Sequence, residues 1–313
     1  MLGRNAGGLF WLFRFMERAE NTARLIDAGF RLSLARPDDG QGDWESILKT
    51  TSSLQSYLEL HDEVESNAAV NFLLRDKNNP SSVMSVMSSA RDNARMVRTA
   101  LTQEVWEAVN DGWLTVKDLL SRAVRPADLL AALSTIRQQS AIVRAALHGT
   151  MLRNDIYDFC RLGTYLERAD NTARIVDVKY YVLLPSVSHV GSVLDNAQWE
   201  SILRSASASR SFRWLNGGDI NPRTVAEFLI LDRQLPRSLA FSTAKLSTNL
   251  EYLVEQYGER VPSADLARGY DVRLRAMSIE DIFENGLHEF IQGFIQDINT
   301  LGNQVEQDFR FYG

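Results

Sequence analysis

One eight-residue stretch occurs twice in this chain, and that constrains its fold more than any other feature. Glu17-Arg18-Ala19-Glu20-Asn21-Thr22-Ala23-Arg24 returns as Glu167-Arg168-Ala169-Asp170-Asn171-Thr172-Ala173-Arg174, identical at seven of eight positions, and Asp27 returns as Asp177. The pattern around each copy is helical. At 100° per residue, Leu12, Phe15, Ala19, Ala23, Ile26 and Phe30 gather on one side of a helix. Arg14, Glu17, Glu20, Asn21 and Arg24 gather on the other side, with Arg18 at the boundary. A chain built around two such helices has to settle two carboxylate-and-guanidinium rows somewhere.

Further matches extend the repeat. Trp44-Glu45-Ser46-Ile47-Leu48 is followed by Trp199-Glu200-Ser201-Ile202-Leu203. Phe72-Leu73, Asp76, Pro80, Ser82 and Asn93 find Phe228-Leu229, Asp232, Pro236, Ser238 and Asn249. The offsets are 150 at the motif, 155 at the tryptophan segment and 156 at the proline, so the slip falls mainly after the first helix. Two units follow, 1–149 and 150–313, packed as one compact body. The fold class is all-α, an internally duplicated antiparallel helical bundle with pseudo-two-fold symmetry, since units this long bury their own core.

The helices read as follows. The first spans Ala6 to Leu34 and breaks at Pro37-Asp38-Asp39-Gly40; a second opens at Trp44 with Asp43 as N-cap. A short piece covers Ala68 to Leu74. Asn79 then caps a long helix with Pro80 in its first turn, running to Val109 and closing at Asn110-Asp111-Gly112. Another runs from Pro126 through Ala146. The second copy of the motif helix spans Ile156 to Leu184, stopped by Pro185. The last, Ile279 to Phe309, carries Phe283, Leu287, Phe290, Phe294, Ile298 and Leu301 as its stripe.

Composition excludes several classes. With 34 basic and 40 acidic residues among 313, a net charge of -6, and no basic block, a nucleic-acid footprint is not supported. No run of apolar residues is long enough to span a bilayer, and the N-terminal segment is too charged for a secretory signal. The single cysteine, Cys160, fits a reducing, cytoplasmic setting and reads as a packed thiol. Trp44, Trp106, Trp113 and Trp199 read as core anchors.

The polar row has three readings. As a wet face it needs only weak i,i+4 pairing of Glu20 with Arg24. A wet face drifts after duplication, however, whereas these polar positions match. A buried network is the leading reading, with Glu of one helix meeting Arg of the other through Glu17, Arg18, Asn21, Arg24, Glu167, Arg168, Asn171 and Arg174. A site holding an acidic or phosphorylated ligand with Arg24 and Arg174 is the second. A di-iron site is not supported, because none of the four histidines stands at Glu-x-x-His spacing on the motif helices, and a carboxylate-only site from Glu17, Glu20, Glu167 and Asp170 is a weaker reading. No metal or other cofactor is expected. Arg91 and Arg95, on adjoining turns with Arg98, form a lesser candidate anion site. Nothing resembles a phosphate-cradling glycine loop, and no Ser-His-Asp or Cys-His arrangement can be nominated from spacing alone.

Taken together, Met1-Leu2-Gly3-Arg4-Asn5-Ala6, Trp11 and the two Glu-Arg motifs resemble the bacterial alpha-E domain family over essentially the whole chain. The family's motif falls on Glu17, Arg18, Glu167 and Arg168. Such proteins are encoded beside, or fused to, circularly permuted ATP-grasp proteins, often near a transglutaminase-like cysteine peptidase. ATP-grasp enzymes make amide bonds through acyl phosphates. The resemblance therefore implies a helical accessory component of an amide- or peptide-ligase or peptide-modification system, with a circularly permuted ATP-grasp protein as partner. It implies no catalytic role for the motif residues. Thr164 departs from the arginine the family often has there. Two alternatives stand beside this: a stand-alone enzyme or binder of a small anionic or peptide ligand, and a homo-oligomeric scaffold using the last helix and Phe309-Arg310-Phe311-Tyr312.

Overall fold

Helix propensity and punctuation decide the elements. In a computed structural model, residues 1, 3–34, 41–182, 193–217 and 220–312 are described. Among them are fifteen α-helices, two short 3-10 turns and no strand. The elements are α1 (Gly3–Leu34), α2 (Gln41–Thr50), α3 (Leu54–Leu58), α4 (Ser66–Arg75), α5 (Val83–Met96), α6 (Gln103–Leu119) and α7 (Leu129–Thr150). They continue with α8 (Asp155–Val182), α9 (Val193–Ser205), α10 (Ser209–Asn216), α11 (Pro222–Ile230) and α12 (Leu239–Tyr257). The chain closes with α13 (Pro262–Ala276), α14 (Ile279–Glu284) and α15 (Leu287–Asp308).

Polar caps set many starts. The side chains of Ser82, Thr102, Asn221 and Ser238 each accept the backbone N–H three residues on, and Ser278 with Asp281 forms a capping box. Gly217 and Gly258 stop α10 and α12 in the left-handed conformation.

Helices α1 and α8 form the axis of the molecule. The first, about 48 Å long at 1.5 Å per residue, is buried on nearly every side. Leu9, Phe10, Leu12, Phe13, Met16, Ala19, Ala23 and Ile26 all lie in the core. Helices α5 and α7 flank α1, and α12 and α15 flank α8. The contacts fix directions. Phe10 lies against Gly163, while Glu17 and Arg18 meet Arg168 and Glu167, so α1 and α8 run parallel. The flanking helices run antiparallel to them: Arg144 reaches Glu20 while Arg137 reaches Asp27, and Gly302 meets Leu166 while His288 meets Asp177. The bundle is antiparallel between these central and flanking helices and parallel at its centre.

Several boundaries differ from expectation, each for a physical reason. The segment from Pro80 to Val109 is two helices. Asn79 is not a helix cap: its Oδ1 accepts the Ser81 amide and its Nδ2 donates to Phe72 O, making a turn, and Ser82 caps instead. Thr102 starts α6 afresh, and α6 passes straight through Asn110-Asp111-Gly112 because Gly112 is buried against Gln139 of α7. Asp43 lies inside α2 rather than ahead of it. Helix α1 starts at Gly3, α7 runs on to Thr150, and α8 starts at Asp155. The last helix is split at Asn285-Gly286, where Gly286 takes φ +94°. Phe283 is therefore exposed, and the buried stripe begins at Leu287. Phe311 folds back onto Phe10 and Phe159 instead of facing outward, leaving only Tyr312 of the terminal aromatics widely exposed. The proposed stops at Pro37–Gly40 and Pro185 lie outside the described residues.

Candidate functional site

The two motif copies face each other across the α1–α8 contact, and they do so reciprocally. Arg168 of α8 forks onto Glu17, with Nε 2.9 Å from Oε1 and Nη2 3.1 Å from Oε2. Arg18 of α1 forks onto Glu167, with Nε 2.5 Å from Oε1 and Nη2 2.9 Å from Oε2. Both are bidentate guanidinium–carboxylate pairs, the geometry in which Arg and Lys are not interchangeable. The residues that cross are thus Arg18 and Arg168, at the edge of the polar row, whereas Arg24 and Arg174 stay on their own helices. Arg24 binds Glu20 at 2.5 Å and Arg174 binds Asp170 at 2.8 Å, each one turn back. Arg174 also donates to Ser52 Oγ at 2.9 Å.

Other elements complete the network. From the turn ahead of α12, Arg237 places Nη1 2.8 Å from Glu17 Oε1 and Nη2 3.0 Å from Glu20 Oε1. It also donates to Asn21 Oδ1 at 2.7 Å. Its own carbonyl accepts from Thr172 Oγ1, and Arg168 reaches the Pro236 carbonyl. From α7, Arg144 bridges Glu20 and Glu17. Arg14 adds a second guanidinium to Glu167 at 3.0 Å while lying over the Trp11 ring. Below this, Asp27 is held by Arg137 and Arg31, and Asp177 by His288 and Gln292.

Glu20 is 0 % exposed and Glu17 2 %, so the motif carboxylates are not a wet face. Burial by itself pushes each carboxyl upward. Arg168, Arg237 and Arg144 outweigh it at Glu17, which ends far below the ordinary carboxylate range. At Glu167, burial is outweighed by Arg18 and Arg14, leaving the group at about 2. Glu20 is likewise lowered. Burial pulls Arg237 down to about 10, against the attraction of Glu17 and with repulsion from Arg168. All these groups stay charged at neutral pH, and the lowered carboxylates are weak proton acceptors.

Between the copies lies a polar cavity of about 210 Å³ lined by Arg14, Arg18, Asn21, Asn171, Arg174 and Ser81, among others. Asn21 Nδ2 is buried without an acceptor. Among the described residues no group of three or more His, Cys, Asp or Glu side chains is placed to hold a metal ion. Arg91 is held by Asn110 at 2.9 Å, Arg95 is exposed, and neighbouring Arg98 stacks over Trp106. Cys160 is fully buried with its thiol pushed well above the usual range by burial. Trp44 and Trp199 are buried, and Trp106 and Trp113 pack half-buried on the core.

The reciprocal Glu-Arg pairing in an all-helical frame agrees with the sequence comparison, in which residues 1–309 match Alpha-E, a predicted alpha-helical domain with a conserved ER motif. The chain belongs to the Alpha-E family. Two curated relatives, uncharacterized proteins of Mycobacterium bovis and Mycobacterium tuberculosis, are each 22% identical over 294 residues. The match covers 88% of this Alpha-E chain and 32% of each relative, so the chain spans about a third of their length. No solved structure matches. Among the described residues no helix is long and apolar enough to cross a membrane.

Arg237, Arg144 and Arg14 are the participants that motif reading passes over. Arg14 lies on the polar side of the wheel but outside the repeated eight residues. Arg144 carries no repeat signal, and Arg237 sits where the first copy has Ser81, so a search for matching positions discards it.

Proposed function

We propose that this Alpha-E chain is the helical partner of an ATP-grasp-type amide- or peptide-forming enzyme, and that its Glu-Arg motif is the lock of the scaffold rather than a catalytic apparatus. The reciprocal pairing of Arg18 with Glu167 and of Arg168 with Glu17 carries this reading. Glu17, Glu20 and Glu167 each face two or more guanidiniums and Asp170 is paired with Arg174, so every motif carboxylate is already held by arginine. In the mycobacterial relatives the matching region is about a third of a longer chain, as suits a module that works attached to other machinery. A cytoplasmic setting goes with the reading, on the single buried thiol.

The same reading takes the molecule as a duplicated unit with pseudo-two-fold symmetry. It is supported by Asp27 meeting Arg137 of α7 and Asp177 meeting Gln292 of α15, two positions 155 apart, the offset of the tryptophan segments. Co-expression with a circularly permuted ATP-grasp protein encoded alongside tests the partnership. Co-elution on size exclusion is expected; separate elution across nucleotide and salt conditions overturns it.

A further inference from the structure

The lock does not use all the arginines that its own helix brings together. On the flank of α1 lies a cavity of about 790 Å³ whose lining includes Arg24, Arg31, Arg137, Arg204, Arg210 and Arg213. Three of these come from the α1–α7 side, where Glu20 and Asp27 are their carboxylate partners. The other three come from α9 and α10. There Glu200 takes Arg204 at 3.0 Å and Arg213 at 3.1 Å, and Arg210 has no carboxylate partner among the described residues. Six guanidiniums thus share three carboxylates, and one of those, Glu20, is also claimed by Arg144 and Arg237. Like charges gathered in one concavity without matching anions repel each other and raise the local potential.

Two further features have the same sign. Helix α10 begins without a side-chain cap; the Ala208 N–H donates to the Leu203 carbonyl, and the first-turn N–H groups from Ser209 onward carry the positive end of the dipole. Ser207 and Ser209, flanking that start, line the cavity, with the Ser209 hydroxyl donating to Glu200 Oε1 at 2.7 Å. Ser207 is held at φ +55°, a left-handed turn in the chain just before the helix. First-turn helix amides and planar guanidinium forks together form the donor set that phosphate oxygens accept. The cavity falls in the size range of small-molecule sites and is far too large for a single phosphate.

We propose that this arginine basin binds a small polyphosphate group, the diphosphate or triphosphate moiety of a soluble ligand, spanning the α1–α7 arginines on one wall and the α9–α10 arginines on the other. The proposal is independent of the ATP-grasp partnership, which a gel-filtration result decides separately. Isothermal titration of the full chain with inorganic tripolyphosphate, orthophosphate and a hexaglutamate peptide tests it. Tripolyphosphate is expected to bind saturably at one site, more tightly than the other two, with affinity falling as salt rises. The double variant Arg210→Ala/Arg213→Ala is expected to weaken that binding about tenfold or more, the loss of one to two charge-assisted contacts. Both residues are exposed, so the unfolding midpoint stays near that of the parent. Absence of saturable binding at low salt overturns the proposal, as does tripolyphosphate affinity unchanged in the double variant. Hexaglutamate binding as tightly as tripolyphosphate also overturns it, in favour of an acidic protein surface.

Discussion

Glu17 is the residue on which the network converges, held by Arg168, Arg237 and Arg144. Removing its charge leaves buried guanidiniums without their anion. Glu17→Gln is therefore expected to cost about 3–5 kcal/mol in urea unfolding. Arg174→Ala breaks a partly exposed one-turn pair and is expected to cost ~1 kcal/mol or less. Equal costs for the two would remove the distinction between lock and surface pair. Asp158 behaves oppositely. It is 5 % exposed at the wall of a separate cavity beside Arg161 and Lys245. Burial first, then Asp155, push its carboxyl up to about 7, with Arg161 opposing. The folded chain holds that proton more tightly than the unfolded chain does. This contribution to stability is therefore complete below about pH 4 and is lost as pH rises to about 7. Asp158→Asn is expected to raise the melting temperature at pH 8 and leave it nearly unchanged at pH 4; equal shifts at both would refute the titration. At this scale the sequence made Glu17 and Glu167 visible because they repeat. Arg237 was hidden because it does not: its counterpart Ser81 instead borders the polar cavity, where Asn299 stands 155 residues from Arg144. The third dimension, not spacing, brings a loop arginine to a helix carboxylate.

Among elements, the approach of α1 to α8 decides whether the Arg forks reach. A Cβ on Gly163 would sit 2.1 Å from the Phe10 carbonyl oxygen, a backbone atom that cannot swing aside. Gly163→Ala is expected to wedge the two helices apart and to cost about 1–3 kcal/mol or more as overpacking. Gly112 offers the control. A Cβ there meets Gln139 at 3.5 Å, an ordinary contact, in a helix interior where Ala is favoured over Gly by roughly 0.5–1 kcal/mol. Gly112→Ala is expected to leave stability unchanged or raise it. Paired thermal melts decide, and two alanine variants moving in the same direction would count against the close-approach account. The same comparison explains what was legible here. Apolar period and caps located the long helices α1 and α8, but an Asn-Asp-Gly run reads as a turn until one knows that Gly112 lies under α7. Pro80 reads as a helix start until Asn79 is seen closing a turn with Ser81.

For the whole molecule the repeat marks out two units, and the contacts of α1 with the second unit tie them together. Helix α1 belongs to the first half by sequence but buries Phe10 against Gly163 and Phe311 and sets Glu17 against Arg168 and Arg237. A fragment covering 1–149 keeps Glu17 and Glu20 but loses two of their arginines, and it exposes the apolar face that α8 covers. Uncompensated carboxylates and bare core favour disorder at the same end of the chain. Fragment 1–149 alone is therefore expected to show no cooperative unfolding transition by circular dichroism, whereas mixing it with 150–313 restores one. Acid should dissolve the reconstituted pair and the intact chain alike. Glu167 titrates near 2 in the folded state, and Glu17 and Glu20 are also depressed, so their contribution is present above about pH 4.5 and is lost as pH falls toward 2. A fragment 1–149 that melts cooperatively by itself would mean that each half folds as a self-sufficient unit. The Glu-Arg exchange would then be a contact between finished domains rather than the bond that completes a single one.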